Sequence, residues 1–152
     1  MITIKTCFEC ETAHRLYDVE TYSTECRENI HGHSYRYVLE VARKDGGLNA
    51  AGMVCDFKAL KEAVRQFEKI YDHSVILKRN DPLCEVLLKE CRKVNIVDDN
   101  PTAEWMVCTF PEILNKIFDE NTLGIEVVSL EIAETTGNIA VWRKSKGKWV
   151  MK

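Results

Sequence analysis

At 152 residues, with 45% hydrophobic and 30% charged side chains, the chain has the length and composition of a single globular domain, 1–152, and not of two domains, a disordered segment or a fibre. A formal net charge of −3 offers no overall basic surface for nucleic acid, and no apolar run approaches the roughly 18 residues that span a bilayer. Met1-Ile2-Thr3-Ile4-Lys5 lacks the basic start and apolar stretch of a secretory signal, and the seven cysteines are odd in number and scattered, so the expected location is the cytoplasm.

From Ile2 to His14 the even positions (Ile2, Ile4, Thr6, Phe8, Cys10, Thr12, His14) alternate with Lys5, Glu9 and Glu11, which predicts a strand. Cys7 and Cys10 have the spacing of a redox or metal pair. On a strand, however, residues three apart point to opposite faces, and the pair is read as two ordinary cysteines. Tyr17 to Ile30 is polar and without period, a long loop. A second strand, antiparallel to the first, is expected over His31 to Val41, with His31, His33, Tyr35, Tyr37, Leu39 and Val41 on one face.

Asp45-Gly46-Gly47 marks a turn, and Asp56 can cap a helix whose apolar stripe is Phe57, Leu60, Val64, Phe67 and Tyr71. Pro82 opens a short helix through Cys91, and Asn100-Pro101-Thr102 starts a longer one with Met106, Phe110, Ile113, Leu114 and Ile117 facing inward. Pro111 lies within that stripe and is expected to kink or interrupt the helix, because it cannot donate to the Val107 carbonyl. Two strands close the chain, the first with Val128, Leu130, Ile132 and Glu134 on one face, the second with Ala140 and Trp142, joined by a turn at Gly137-Asn138. This order predicts an α+β domain, an antiparallel four-stranded sheet with helices packed on one face.

Three of the four histidines fall in one kind of place. His14 ends the apolar face of the first strand, and His31 and His33 open the second on a shared face, so pairing of the strands would bring three imidazoles together. Three neutral imidazoles suit Zn²⁺ and leave a fourth position for substrate or water, the arrangement of a catalytic metal. Cys26 lies in the loop before them, where a cation would favour its thiolate as a base, and Glu28 is a second candidate base. Asp72-His73, just past the predicted helix, could relay protons. Glu134 ends an apolar strand face as His14 does, and a heterocycle with two adjacent N–H donors would satisfy its carboxylate.

Thr12-Ala13-His14-Arg15-Leu16, Cys26 to Tyr35, Met53 to Phe57, Asp72-His73, Pro101-Thr102-Ala103-Glu104 and Glu134-Thr135 together resemble the 6-pyruvoyl-tetrahydropterin and 6-carboxy-tetrahydropterin synthase family, in register through nearly the whole chain. The resemblance implies a tunnelling fold, assembled as a homohexamer with active sites at subunit interfaces, zinc on His14, His31 and His33, and a pterin substrate such as 7,8-dihydroneopterin triphosphate. It implies proton transfer by Cys26 with Asp72 and His73, and a pterin pocket made by Glu134, Thr102, Ala103 and Glu104, with Asp56 left as a helix cap. The branch giving 6-carboxy-5,6,7,8-tetrahydropterin, for the queuosine and deazapurine route, is the first expectation.

Four residues separate Cys26 from His31, where three are expected in the carboxy branch and five in the pyruvoyl branch. Glu28 also fits Glu-x-x-His-Gly-His, which resembles the branch releasing 6-hydroxymethyl-7,8-dihydropterin for folate. That lyase is the alternative reading, followed by a 6-pyruvoyl-tetrahydropterin synthase and a non-catalytic pterin- or metal-binding protein. Trp105 stands where relatives often carry asparagine.

Overall fold

The computed structural model describes residues 1–21 and 24–145; Tyr22 and Ser23 of the expected loop, and residues 146–152 of the expected domain, lie outside the described residues. The elements run β1 (Ile4–His14), α1 (Glu25–Glu28), β2 (His31–Arg43), α2 (Phe57–Tyr71), β3 (Ser74–Lys78), α3 (Leu83–Glu90), β4 (Val94–Val97), α4 (Ala103–Glu120), β5 (Ile125–Ala133) and β6 (Ile139–Arg143).

The sheet has six strands in the order β4-β3-β1-β2-β5-β6, which corrects the expected four. The four predicted strands are present and antiparallel, but β3 pairs parallel to β1 and β4 parallel to β3. The two added strands are only five and four residues long and carry no clear alternation, so period-2 patterning has nothing to register. They are joined through α3, a short βαβ unit.

Asp56 is the predicted cap: its carboxylate accepts from the N–H groups of Lys58 (2.7 Å) and Ala59 (3.1 Å). The inward face of α2 is Leu60, Ala63, Val64, Phe67 and Tyr71, whereas Phe57, expected in the stripe, is exposed. α4 packs beside α2 on the same sheet face and runs through Pro111 without the interruption that was one of the two outcomes expected there. A proline inside a helix costs about 3 kcal/mol, while burying each of Met106, Val107, Phe110, Leu114, Ile117 and Phe118 returns roughly 1.5–3 kcal/mol, so packing holds the helix together. An aromatic cluster of Phe8, Tyr37, Phe67, Tyr71 and Phe110 joins the sheet to both helices.

One irregularity decides what reaches the site. Glu40 pairs with Ser129 but the next residue, Val41, pairs with Val127, so β5 carries one extra residue, a β-bulge at Val128. Buried positions therefore pass from Ile125 and Val127 to Leu130 and Ile132, and Val128, expected on the core face, is displaced from it. At the bulge the Val127 N–H donates to the Asn115 side chain of α4 (2.8 Å).

Candidate metal and pterin site

Strand pairing places the histidines as their spacing predicts. His14 is opposite His31 and Thr12 opposite His33, so three imidazoles occupy one end of the core face. One nitrogen from each lies within 4.8 Å of the others. His14 Nδ1 lies 2.6 Å from the Pro101 carbonyl and His31 Nδ1 3.2 Å from the Asn29 carbonyl. A carbonyl only accepts, so both Nδ1 atoms carry the proton and both Nε2 atoms present lone pairs.

Those two Nε2 atoms are 3.1 Å apart. Two facing lone pairs at that distance repel unless a cation lies among them. His33 Nε2 is buried and has no hydrogen-bond partner among the described residues, although a Glu134 oxygen sits 3.4 Å away without hydrogen-bond geometry. Burial lowers the pKa of His14, against the raising influence of the Pro101 carbonyl and Glu134, and burial likewise lowers that of His33. Neutral imidazoles with free lone pairs are what a divalent metal requires, so His14, His31 and His33 fit a metal ion.

Glu134, one residue past β5, reaches the same cluster. Its Oε1 lies 3.4 Å from His14 Nε2 and from His33 Nε2, and accepts the Tyr35 hydroxyl at 3.1 Å. Tyr35 is fully buried; burial first, then the charge and hydrogen bond of Glu134, push its pKa far up, so it stays protonated and donates. Sequence reading did not single out Tyr35, though it shares the face of His31 and His33 two residues on.

Glu134 also lines a cavity of about 650 Å³ with Ala103, Glu104, Val107, Cys108 and Ile139. Three of the four expected pterin-pocket residues thus meet. The fourth, Thr102, is instead the N-cap of α4, its hydroxyl accepting from the Trp105 N–H at 3.1 Å.

The candidate bases separate. Cys26 is half-buried on α1, and its carbonyl accepts the Leu16 N–H (3.0 Å) two residues past His14. Glu28 is exposed and 3.6 Å from Arg27. Asp72 and His73 sit where α2 meets β3, beside Glu11 of β1: Asp72 accepts the Glu11 N–H (2.8 Å) and the His73 N–H donates to the Glu11 carbonyl (2.7 Å). His73 adopts φ 55°, left-handed backbone uncommon for a side chain of its size, and its ring donates from Nδ1 to Asp72 at 2.8 Å. Burial raises the Asp72 pKa, but the Glu11 N–H, His73 and Lys93 outweigh it and the net direction is down. The His73 side chain is 76% exposed, and the residue lines a second cavity with Glu11, Thr12 and His33.

Cys7 is exposed and Cys10 buried on opposite faces of β1, two ordinary cysteines as predicted. Among the described residues no helix is long and apolar enough to cross a membrane.

The chain was compared with known proteins. It is 31% identical over 131 residues, 84% of this chain and 89% of the relative, to 6-carboxy-5,6,7,8-tetrahydropterin synthase of Rickettsia conorii. Among solved structures, an uncharacterized protein of Wolinella succinogenes superposes with a TM-score of 0.76 at 22% identity, over 95% of this chain and 98% of that one. The 6-pyruvoyl tetrahydropterin synthase of Caenorhabditis elegans gives 0.66 at 21%, over 95% and 96%. At those identities the two structures speak for the fold. The family model described as 6-pyruvoyl tetrahydropterin synthase matches residues 2–145, a span that holds the three histidines, Cys26, the Asp72-His73 pair and Glu134, and the chain belongs to that family.

Proposed function

We propose that the chain is a zinc-dependent lyase acting on the side chain of 7,8-dihydroneopterin triphosphate to give 6-carboxy-5,6,7,8-tetrahydropterin, for queuosine and other deazapurines. The carrying observation is the three-histidine cluster with Glu134 against it and a pterin-sized cavity alongside. The activity named for the Rickettsia relative supports the choice of product.

When bound by His14, His31 and His33, zinc would act as a Lewis acid on the hydroxyls of the pterin side chain. This chain's residues supply the rest. Glu134, held by Tyr35, accepts the N–H edge of the pterin, and Ala103 and Glu104 form the wall beside it, with Thr102 capping the helix that carries them. The Cys26 thiolate takes the proton from the side-chain carbon. The exposed Asp72-His73 pair serves the site of a neighbouring copy, which makes a homohexamer with active sites at subunit interfaces the working assembly of this 1–152 pterin synthase domain in the cytoplasm. Glu28, exposed beside Arg27, is the weaker base, which favours this product over 6-hydroxymethyl-7,8-dihydropterin.

The test is mass spectrometry of the products formed from 7,8-dihydroneopterin triphosphate by zinc-loaded wild type, Cys26→Ala and Glu28→Ala. Carboxy-tetrahydropterin from wild type and Glu28→Ala but not from Cys26→Ala is expected. Hydroxymethyl-dihydropterin that disappears in Glu28→Ala would replace this reading with the folate one.

A further inference from the structure

The thiol-bearing turn α1 has no buried residue of its own to hold it. Burial in a core is what usually fixes a one-turn helix, so something else must set the place of Cys26. A tie to the body is the hydrogen bond from the Leu16 N–H to the Cys26 carbonyl, 3.0 Å.

Leu16 itself belongs to a strap of four consecutive residues pinned at three places in the fold: the segment ahead of α4, the segment ahead of α3, and α1. His14 donates from Nδ1 to the Pro101 carbonyl, ahead of α4. Arg15 makes a two-pronged ion pair with Asp81, ahead of α3, with Nε to Oδ2 at 2.8 Å and Nη2 to Oδ1. The Asp81 side chain is 0% exposed and also accepts the Leu83 N–H at 2.8 Å. Tyr17 is gripped twice by the Asn100 side chain: its N–H donates to Oδ1 (2.7 Å) and its carbonyl accepts from Nδ2 (3.0 Å).

A single hydrogen bond to a free-swinging strap would place a thiol poorly. Two flanking anchors, one a desolvated bidentate pair and the other a matched donor and acceptor, fix the Leu16 peptide and through it Cys26. We infer that Asn100 and the Arg15–Asp81 pair are positioning residues for the Cys26 thiol, acting through the backbone of Leu16. Asn100 and Asp81 bond to Tyr17 and Arg15, and neither lines the pterin cavity. The inference rests on the reading of Cys26 as the base.

The test uses the full-length, zinc-loaded protein and iodoacetamide as the probe, with alkylation followed cysteine by cysteine by mass spectrometry. Product formation and zinc affinity are measured on the same samples. Asn100→Ala should change the alkylation rate of Cys26 by about fivefold or more and lower kcat by about 10- to 100-fold, with KM within about twofold. Zinc affinity should stay within about threefold, because the histidines keep their strand pairing. Asn100→Asp keeps the acceptor for the Tyr17 N–H and should fall between.

Buried Cys10 and Cys84 report general loosening: they must stay protected while Cys26 responds. Asp81→Asn should act as Asn100→Ala does, and where it fails to fold the Asn100 variants carry the test alone. Unchanged Cys26 alkylation and kcat in Asn100→Ala of an active enzyme would overturn the inference, as would equal acceleration at Cys10, Cys84 and Cys26. A wild type that makes no product while Cys26 alkylation still responds to Asn100→Ala would remove the functional reading and leave the anchor standing.

Discussion

The Tyr35 hydroxyl donates to Glu134 Oε1 across 3.1 Å, and the same hydroxyl lies 3.3 Å from His14 Nε2. One phenol thus touches both a proposed metal ligand and the carboxylate assigned to the pterin. Tyr35→Phe removes the donor with little change in volume. Glu134 keeps some access to water, so the fold should lose only about 1 kcal/mol, while pterin affinity should fall about tenfold. Fluorescence titration with a pterin checks this, and unchanged affinity would show that Glu134 needs no support from Tyr35.

The histidines set an acid limit on the metal-free protein. Burial holds His14 and His33 below the ordinary value of 6.5. Between that value and the lower folded one, the unfolded chain binds more protons than the folded chain, so stability falls as pH drops through the window and is level above it. Urea denaturation of chelator-treated protein from about pH 8 to about pH 5 should show the decline beginning near the ordinary histidine value. His14→Gln should weaken it, and a flat profile in wild type would contradict the burial argument.

Cysteine reactivity should divide along β1. Burial, then the charges of Asp72, Glu68 and Glu11, raise the Cys10 thiol to about 12, so it carries almost no thiolate at neutral pH. Cys7, three residues away, is exposed. Native alkylation near neutral pH should mark Cys7, Cys91 and Cys108 and spare Cys10 until the protein is unfolded. Rapid labelling of Cys10 in the folded state would revive a paired role for Cys7 and Cys10.

Phe67 is fully buried where α2, α4 and the sheet meet, with edge-on contacts to Phe8 and Phe110. Phe67→Ala should cost about 3–5 kcal/mol, the price of a cavity among rings that cannot all shift to fill it. A lowered urea midpoint with an unchanged slope is the expected result; a loss under about 1 kcal/mol would mean that Tyr71 and Phe110 collapse into the gap.

The sequence was readable where period and chemistry agreed. His14, His31 and His33 could be placed on one face because strand parity alone sets it, and Asp56 could be assigned as a cap from its place before an amphipathic run. Ser74–Lys78 and Val94–Val97 were missed because short strands beside a helix have no room to show alternation. Pro111 does not interrupt α4 because its local penalty is outweighed by the core packed along the helix, which the local sequence does not display. The grips of Asn100 and Asp81 on Tyr17 and Arg15 span 83 and 66 residues, and no local pattern encodes such contacts. Asp72 and His73 were correctly noticed as a pair, yet the exposure of the His73 ring is a property of the fold that spacing could not reveal.

The extra residue in β5 works as a parity switch. With strict alternation continued from Ile125 and Val127, the side chains at 129, 131 and 133 would face the helices and Glu134 would emerge on the sheet's other surface. Counting two residues against one at Val128 turns the remainder of the strand over, so a carboxylate six positions downstream arrives among the imidazoles. Removing Val128 together with the bulge would leave Val127, Leu130, Ile132 and Glu134 on the same face, because simple alternation then gives the same parity. One further residue inserted after Val128, with no second bulge to absorb it, would still leave every side chain of the site encoded but build one wall of the pocket inside out.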